Sequence, residues 1–291
     1  MSLTKLQGFY LPENGHAVVD LLGKFPDSAL IVAGGTFVHG LIARGLLTEI
    51  EVLIDIQRLD LAYIKAEAAA LRIGATTTFA QLQAAPEMQS PPLLGAVRDA
   101  LYYPPVQVKN SATVGGCVAA SCPFFDLPVS FLALNGIAKC QGPDGFREIH
   151  LDEFFPGLFE NALNADEFMT ELLLPLPSEK SASAFLKLET NANDLAILNA
   201  AVCVTIDKSG NCTAARVVVG GGVGEVPVRA ISAEGVLMGQ KLNDALCARA
   251  GQAARSGVQP MTDHRASSEY RTAMTEVLVE RALKQAVNRL D

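Results

Sequence analysis

Ala29-Leu30-Ile31-Val32-Ala33-Gly34-Gly35-Thr36 is an apolar run that ends in a glycine pair, and a second pair closes Ala112-Thr113-Val114-Gly115-Gly116 ahead of Cys117-Val118-Ala119-Ala120-Ser121. Each pair follows or sits within a β-branched, strand-like stretch. Each is expected to expose consecutive backbone N–H groups with no side chain in the way, as close approach to a phosphate requires. One glycine pair after a strand is an ordinary turn; two of them point to the two phosphates of one diphosphate. No Lys-Ser or Lys-Thr follows either pair, and neither has the spacing Gly-x-Gly-x-x-Gly, so neither a Walker A loop nor a Rossmann turn is written here. The pattern points to a dinucleotide held by some other fold.

Around the first pair, residues 15–25 have the spacing of an amphipathic helix with Ala17, Val18, Leu21 and Leu22 inward. Phe37 to Arg44 reads as helix and Glu51-Val52-Leu53-Ile54-Asp55 as a short strand, which makes a small β-α-β-like unit. Tyr63-Ile64-Lys65 and Leu71-Arg72-Ile73 fit a hairpin, although Glu67-Ala68-Ala69-Ala70 favours helix by propensity. Thr78-Phe79-Ala80-Gln81 has the spacing of a capping box, and a helix from Leu93 to Tyr102 must end before Pro104-Pro105. Asp126-Leu127-Pro128 opens a helix that Asn135-Gly136 closes, and Ile137 to Gln141 with Phe146 to His150 forms a hairpin.

Leu172-Leu173-Leu174-Pro175-Leu176-Pro177-Ser178-Glu179-Lys180-Ser181 passes from an apolar strand to a polar, proline-bearing segment, the clearest domain boundary in the chain. The expected division is 1–177, with subdomains of about 1–56 and 57–177, and 178–291. The second part reads as three strands, at about 184–188, 199–206 and 212–219, then helices near 229–238, 243–255 and 268–289. Strands first and helices after give an α+β fold class.

The 291 residues are 49% hydrophobic, ample for real cores. A net charge of −8 and a pI near 5.1, with no run of Lys or Arg, argue against nucleic acid and anionic membranes as partners. Met1-Ser2-Leu3-Thr4-Lys5-Leu6 has no apolar region of the signal-peptide kind, and no stretch approaches the roughly 18 apolar residues of a span, so a cytoplasmic protein is expected. Cys117, Cys122, Cys140, Cys203, Cys212 and Cys247 contain no Cys-x-x-Cys pair, which excludes the usual zinc and plant-type iron–sulfur loops and predicts free thiols. His16, His39, His150 and His264 lie far apart, and no Gly-x-Ser-x-Gly elbow occurs. Whatever chemistry occurs here must be brought by a cofactor.

Five motifs together carry a family resemblance: Ala33-Gly34-Gly35-Thr36; Gln107-Val108-Lys109-Asn110-Ser111-Ala112-Thr113-Val114-Gly115-Gly116; Pro123-Phe124-Phe125-Asp126-Leu127-Pro128; Pro227-Val228-Arg229-Ala230; and Arg265-Ala266-Ser267-Ser268-Glu269-Tyr270-Arg271. With them the chain resembles, over essentially its whole length, the flavoprotein (medium) subunit of molybdenum hydroxylases. These include the carbon monoxide dehydrogenase medium chain and the FAD domain of xanthine dehydrogenase. The resemblance implies a two-subdomain, PCMH-type FAD-binding domain whose glycine loops grip the FAD pyrophosphate. It also implies a C-terminal α+β domain, a three-stranded antiparallel sheet with helices, that covers part of the flavin.

Carried over residue by residue, the resemblance assigns Ile31, Val32, Ala33, Gly34, Gly35, Thr36, Phe37 and Val38 to the first loop and Ala112, Thr113, Gly115, Gly116 and Cys117 to the second. Asp126 stands where the family has an aspartate that binds the cofactor's hydroxyl groups, and its place before Leu127-Pro128 also fits a helix N-cap. Tyr103, otherwise plain core, matches an aromatic beside the FAD, and Met169 an apolar side chain that reaches the cofactor in some relatives. Lys187 matches a lysine near the flavin, where a cation favours the anionic reduced ring; a lone strand lysine is otherwise a solvated charge. Cys117 stands in place of the usual asparagine and Lys109 in place of a common arginine. Thr190-Asn191-Ala192-Asn193 lacks the basic residues often found after the lysine, which leaves the charge of the flavin region open. Val219-Gly220-Gly221-Gly222-Val223-Gly224 looks like a nucleotide loop, but its spacing and Pro227 make it a structural turn.

The resemblance implies an FAD-binding electron-transfer subunit with no catalytic side chain of its own. It would pass electrons from the [2Fe–2S] clusters of a small partner subunit to an external acceptor, beside a large molybdopterin subunit, in a dimer of heterotrimers. The alternatives are a stand-alone NAD(P)H-dependent flavin oxidoreductase and a scaffold that has lost its cofactor.

Overall fold

The computed structural model describes residues 3–89, 91–191 and 194–290; Met1 and Ser2 of the expected leaderless start, and Ala192 and Asn193 of the segment without basic residues, lie outside them. The chain begins with β1 (Gly8–Tyr10), α1 (Gly15–Lys24), β2 (Ala29–Val32), α2 (Thr36–Ala43) and β3 (Val52–Asp55). These make the expected β-α-β unit, extended to a parallel three-stranded sheet of order β1-β3-β2. Sequence reasoning named no β1, which is too short to show a period. The Asn14 side chain accepts from the Ala17 N–H and starts α1, which buries Val18, Val19 and Leu22 in one cluster with Ile54, Ile56 and Leu59.

Next come β4 (Ile64–Ala66), β5 (Ala70–Gly74), α3 (Phe79–Ala84), α4 (Pro86–Gln89), α5 (Gly95–Tyr102), α6 (Val106–Ser111), α7 (Val114–Ala119), α8 (Leu127–Ala133), β6 (Ile137–Gly142), β7 (Gly145–His150), α9 (Leu151–Phe154) and β8 (Phe168–Pro175). Their strands form an antiparallel sheet of order β4-β5-β8-β6-β7. The hairpin reading of residues 63–73 holds against helix propensity because Leu71 and Ile73 alternate inward and pair with β8. The capping box at α3 is complete: Thr78 Oγ1 accepts from the Gln81 N–H, and the Gln81 side chain accepts from the Thr78 N–H. Asn135, at φ 57°, stops α8.

One expectation is overturned here. The second glycine pair does not sit in a strand-like stretch; it forms the first turn of α7. Thr113 is its N-cap and accepts from the Gly116 N–H at 3.2 Å, while Val114 and Val118, four apart, bury one face. The absent side chain lets the helix lie on the end of β5, since a Cβ on Gly115 would stand 2.5 Å from that of Ala75.

The remainder is β9 (Lys180–Leu188), β10 (Leu198–Ile206), β11 (Cys212–Gly220), β12 (Val228–Arg229), α10 (Ile231–Leu237), α11 (Asp244–Ala254) and α12 (Ser268–Asn288). The sheet is antiparallel as expected but four-stranded, of order β12-β11-β10-β9. Val228 and Arg229 pair with Val219 and Val218 instead of opening the helix, which starts at Ile231. Ala200, Val202, Val217 and Val219 face α10 to α12, whereas Phe185, Ala201 and Val218 join the core around α5 and α8. The triple glycine is a turn, with Gly221 and Gly222 at φ 79° and 86° and the Gly221 N–H donating to Pro123 O. No helix among the described residues is long and apolar enough to cross a membrane.

Candidate cofactor site

A cavity of about 710 Å³ opens where the parallel sheet, the α7–α8 segment and β9 meet, toward the upper end of what small-molecule and cofactor sites occupy. Its first wall is the turn from β2 into α2. Gly34 lies so close to the next segment that a Cβ there would overlap the Ser111 carbonyl, and Gly35, at φ 68°, is the N-cap residue and brings no side chain to cap the helix. The N–H groups of Thr36, Phe37 and Val38 therefore have no partner within α2, and all three residues line the cavity. A helix start of this kind attracts a phosphate through both its free donors and its dipole.

The second wall works differently from the sequence expectation. The Val114 and Gly115 N–H groups donate to Thr77 O and Ala75 O, each at 2.9 Å; the Gly116 N–H goes to Thr113 Oγ1, and the Cys117 N–H to Thr113 O at 2.9 Å. These donors are used by the fold, so the second pair contributes close approach while α2 contributes free N–H groups. Ala112, Thr113, Gly115, Gly116 and Cys117 still line the cavity. Burial pushes the Cys117 thiol well above its ordinary pKa, so it sits there as a neutral group.

On the third side stand Tyr103, Asp126, Met169 and Lys187. Lys187 is not a solvated strand lysine: its side chain is 4% exposed, with Nζ 3.0 Å from Asp126 Oδ2 and 3.2 Å from Glu189 Oε2. The ammonium also lies 5.0 Å from the Tyr103 ring centroid. Asp126 stands at the N-cap position of α8 but makes no side-chain capping bond. Its backbone is already helical, and its carboxylate turns instead to Lys187 and to Asn199, whose Nδ2 donates to Oδ1 at 2.9 Å. Burial raises the Asp126 carboxyl above the usual range, with Lys187 and Asn199 pulling the other way.

Of the seventeen residues singled out in sequence, sixteen line this cavity; Val32 does not, although its neighbours Ile31 and Ala33 do. Sequence reasoning missed Phe125 and Phe159, which pack on Phe37 at centroid distances of 5.6 and 6.2 Å, and also Arg44, Asn161, Asn164 and Glu167. Phe125 was within reach, beside Asp126 in a quoted motif. Phe159, in irregular chain at φ 59°, gave no periodic signal.

Residues 4–177 match the FAD binding domain in molybdopterin dehydrogenase, and residues 183–286 the CO dehydrogenase flavoprotein C-terminal domain. The chain is 32% identical to the 6-hydroxypseudooxynicotine dehydrogenase complex subunit alpha of Paenarthrobacter nicotinovorans, over 92% of this chain and 90% of that one. It is 30% identical to the carbon monoxide dehydrogenase medium chain of Hydrogenophaga pseudoflava, over 96% of each. A solved structure of carbon monoxide dehydrogenase from Hydrogenophaga pseudoflava superposes with a TM-score of 0.91 at 29% identity, covering 98% of both chains. Fold and cavity thus define a flavoprotein subunit of an oxidoreductase. The chain belongs to the FAD-binding medium subunits of the molybdenum hydroxylase family.

Proposed function

We propose that this subunit carries electrons from the [2Fe–2S] clusters of a small partner chain to an external acceptor. It does so beside a large molybdopterin subunit, in a cytoplasmic dimer of heterotrimers. The observation that carries the reading is the cavity itself, which joins an uncapped helix start to a buried Lys187–Asp126 pair under an aromatic ring. That wall suits an anionic diphosphate at one end and a polar, redox-active ring system at the other. The flavin, when bound, supplies the ability to accept electrons one at a time and release them as a pair. The chain supplies position: the first turn of α2 holds the diphosphate, Asp126 the hydroxyl groups, and Tyr103 and Met169 the ring. The proposed division at residues 177 and 178, with a further one near 56, is supported by the parallel sheet ending at Asp55 and the five-stranded sheet closing with β8 at Pro175.

The test is to co-purify the chain with the products of its neighbouring coding sequences, record the visible spectrum, and identify the cofactor released on denaturation. Reduction of the clusters should then be followed by bleaching of the flavin bands in stopped flow. Oxidised-flavin bands, recovered FAD and cluster-to-flavin transfer are expected. Rapid NADH oxidation by the isolated chain would instead establish the stand-alone reductase, and a complex without flavin would leave the scaffold.

A further inference from the structure

The family resemblance implies that Lys187 lies near the flavin, where a cation favours the anionic reduced ring. The structure gives that lysine two carboxylates. Lys187 Nζ is 3.0 Å from Asp126 Oδ2 and 3.2 Å from Glu189 Oε2, and its remaining side faces the Tyr103 ring. With both carboxylates ionised, one ammonium is shared by two negative charges, and the cluster carries −1, not +1. Lys187 and Asp126 stand on the wall of the cavity, with side chains only 4% and 10% exposed, so water screens this charge poorly.

Two further observations show room for a proton. Glu189 Oε2 is buried and, although within ion-pair distance of Lys187, has no hydrogen-bond partner among the described residues. Asn199, which pairs with Lys187 across β9 and β10, holds Asp126 through its Nδ2 and leaves its own Oδ1 without a donor. Buried acceptors without donors are uncommon and costly. Of the other groups near the cluster, Tyr103 and Cys117 are pushed up by burial and stay neutral, Cys122 is pushed up to about 11, and Asp99 is bound to Arg289; elsewhere on the cavity wall Arg44 and Asp194 bring one charge of each sign.

We propose that Asp126, Lys187 and Glu189 form a proton-accepting cluster, which takes up one proton from water whenever an electron pair enters the bound flavin. This rests on the reading of the chain as a redox-active FAD subunit. Two electrons and one proton leave the flavin ring with one added negative charge, and a cluster already at −1 answers by converting one carboxylate to the carboxylic acid. The balance is two electrons from the reductant and two protons from water, one on the ring and one on the cluster; reoxidation by the acceptor releases both. The two carboxyls share one ammonium, so the proton belongs to the pair and not to either residue alone. In this role the three are positioning residues that tune the flavin through its electrostatics.

The experiment is a redox titration of the flavin in the intact complex between about pH 7 and 8, for the wild type and Glu189→Gln, with proton uptake on reduction followed by an indicator dye. The wild type should show two protons per electron pair, a hundredfold change in the equilibrium constant per pH unit, or about 59 mV. Glu189→Gln should show one proton, a tenfold change, or about 30 mV. An infrared difference spectrum of the wild type alone should show a carboxylic acid band appearing on reduction, which needs no variant to fold. One proton in both proteins, or no such band, would overturn the inference and leave the FAD reading intact. A complex without flavin would overturn both.

Discussion

Gly34 rests on Ser111: there is no space between the first glycine turn and that carbonyl for even a methyl group. The two halves of the site are therefore in direct backbone contact, and the dimension of the diphosphate end depends on it. Gly34→Ala should lower stability by about 3 kcal/mol, since backbone must move, and should empty the site of FAD. Gly35 has room for a Cβ, which would meet only Val32 at ordinary contact distance, but it has a positive φ, so Gly35→Ala should cost about 1–2 kcal/mol and Gly35→Asn less. Urea unfolding and the flavin-to-protein ratio measure both effects.

Thr113 is a cap before it is a ligand. Thr113→Ala should lose about 1 kcal/mol, and Thr113→Ser almost nothing, in the same unfolding experiment. Equal losses for both would show that the methyl group, not the hydroxyl, matters.

Removing Lys187 leaves two carboxylates together without a cation. Lys187→Met should be destabilised by about 3–5 kcal/mol near neutral pH. Asp126 already has its carboxyl held above the usual 3.8 by burial. Its contribution to stability is thus complete below that value and is lost as pH rises through the folded one. In the variant the same effect deepens, so the gap in melting temperature between wild type and Lys187→Met should widen from pH 4 to pH 8. A gap that narrows with rising pH would contradict it.

Glu167 behaves in the opposite sense. Two hydrogen bonds from Arg147, at 2.7 and 2.6 Å, and the Asn164 N–H hold its carboxyl below the usual 4.5. The stabilisation is present above about pH 4.5 and disappears as pH falls through the folded value. Arg147 is half-exposed, which limits the pair to about 1 kcal/mol. Glu167→Gln should show that loss at pH 7 and none at acid pH.

Asp99 collects Arg289, Gln285 and the Phe185 N–H, and so ties α12 and β9 to α5. A double-mutant cycle with Asp99→Asn and Arg289→Gln should give a coupling energy of about 1–3 kcal/mol. A coupling near zero would mean that packing alone joins these elements.

Most of the architecture was legible because it follows local rules. The Thr78 capping box, the Asn135 stop and the β-α-β unit around Ile31 and Ile54 are each written in a few consecutive residues. The second glycine segment was misjudged because Thr113 and Val114, β-branched and strand-like in isolation, are held in a helix start by Thr77 and Ala75. Those contacts come from the far side of a turn and leave no trace in the local pattern. Lys187 was legible as a position but not as a charge state: Glu189 is two residues on, but Asp126 lies 61 residues away in sequence at the start of α8, and only the fold brings it to β9. Val228-Arg229 shows a third limit: two residues of strand are specified entirely by the neighbour they pair with.

The sheet of β9 to β12 is a party wall. Its one face closes the core of its own helices, and its other face, through Phe185, Ala201 and Val218, completes the core built on α5 and α8. Neither half of the chain can then change that surface without the other. Exchanging residues 183–286 for those of a relative would set a foreign sheet face against native α5 and α8, so grafts within this family need both sides of the wall transferred together.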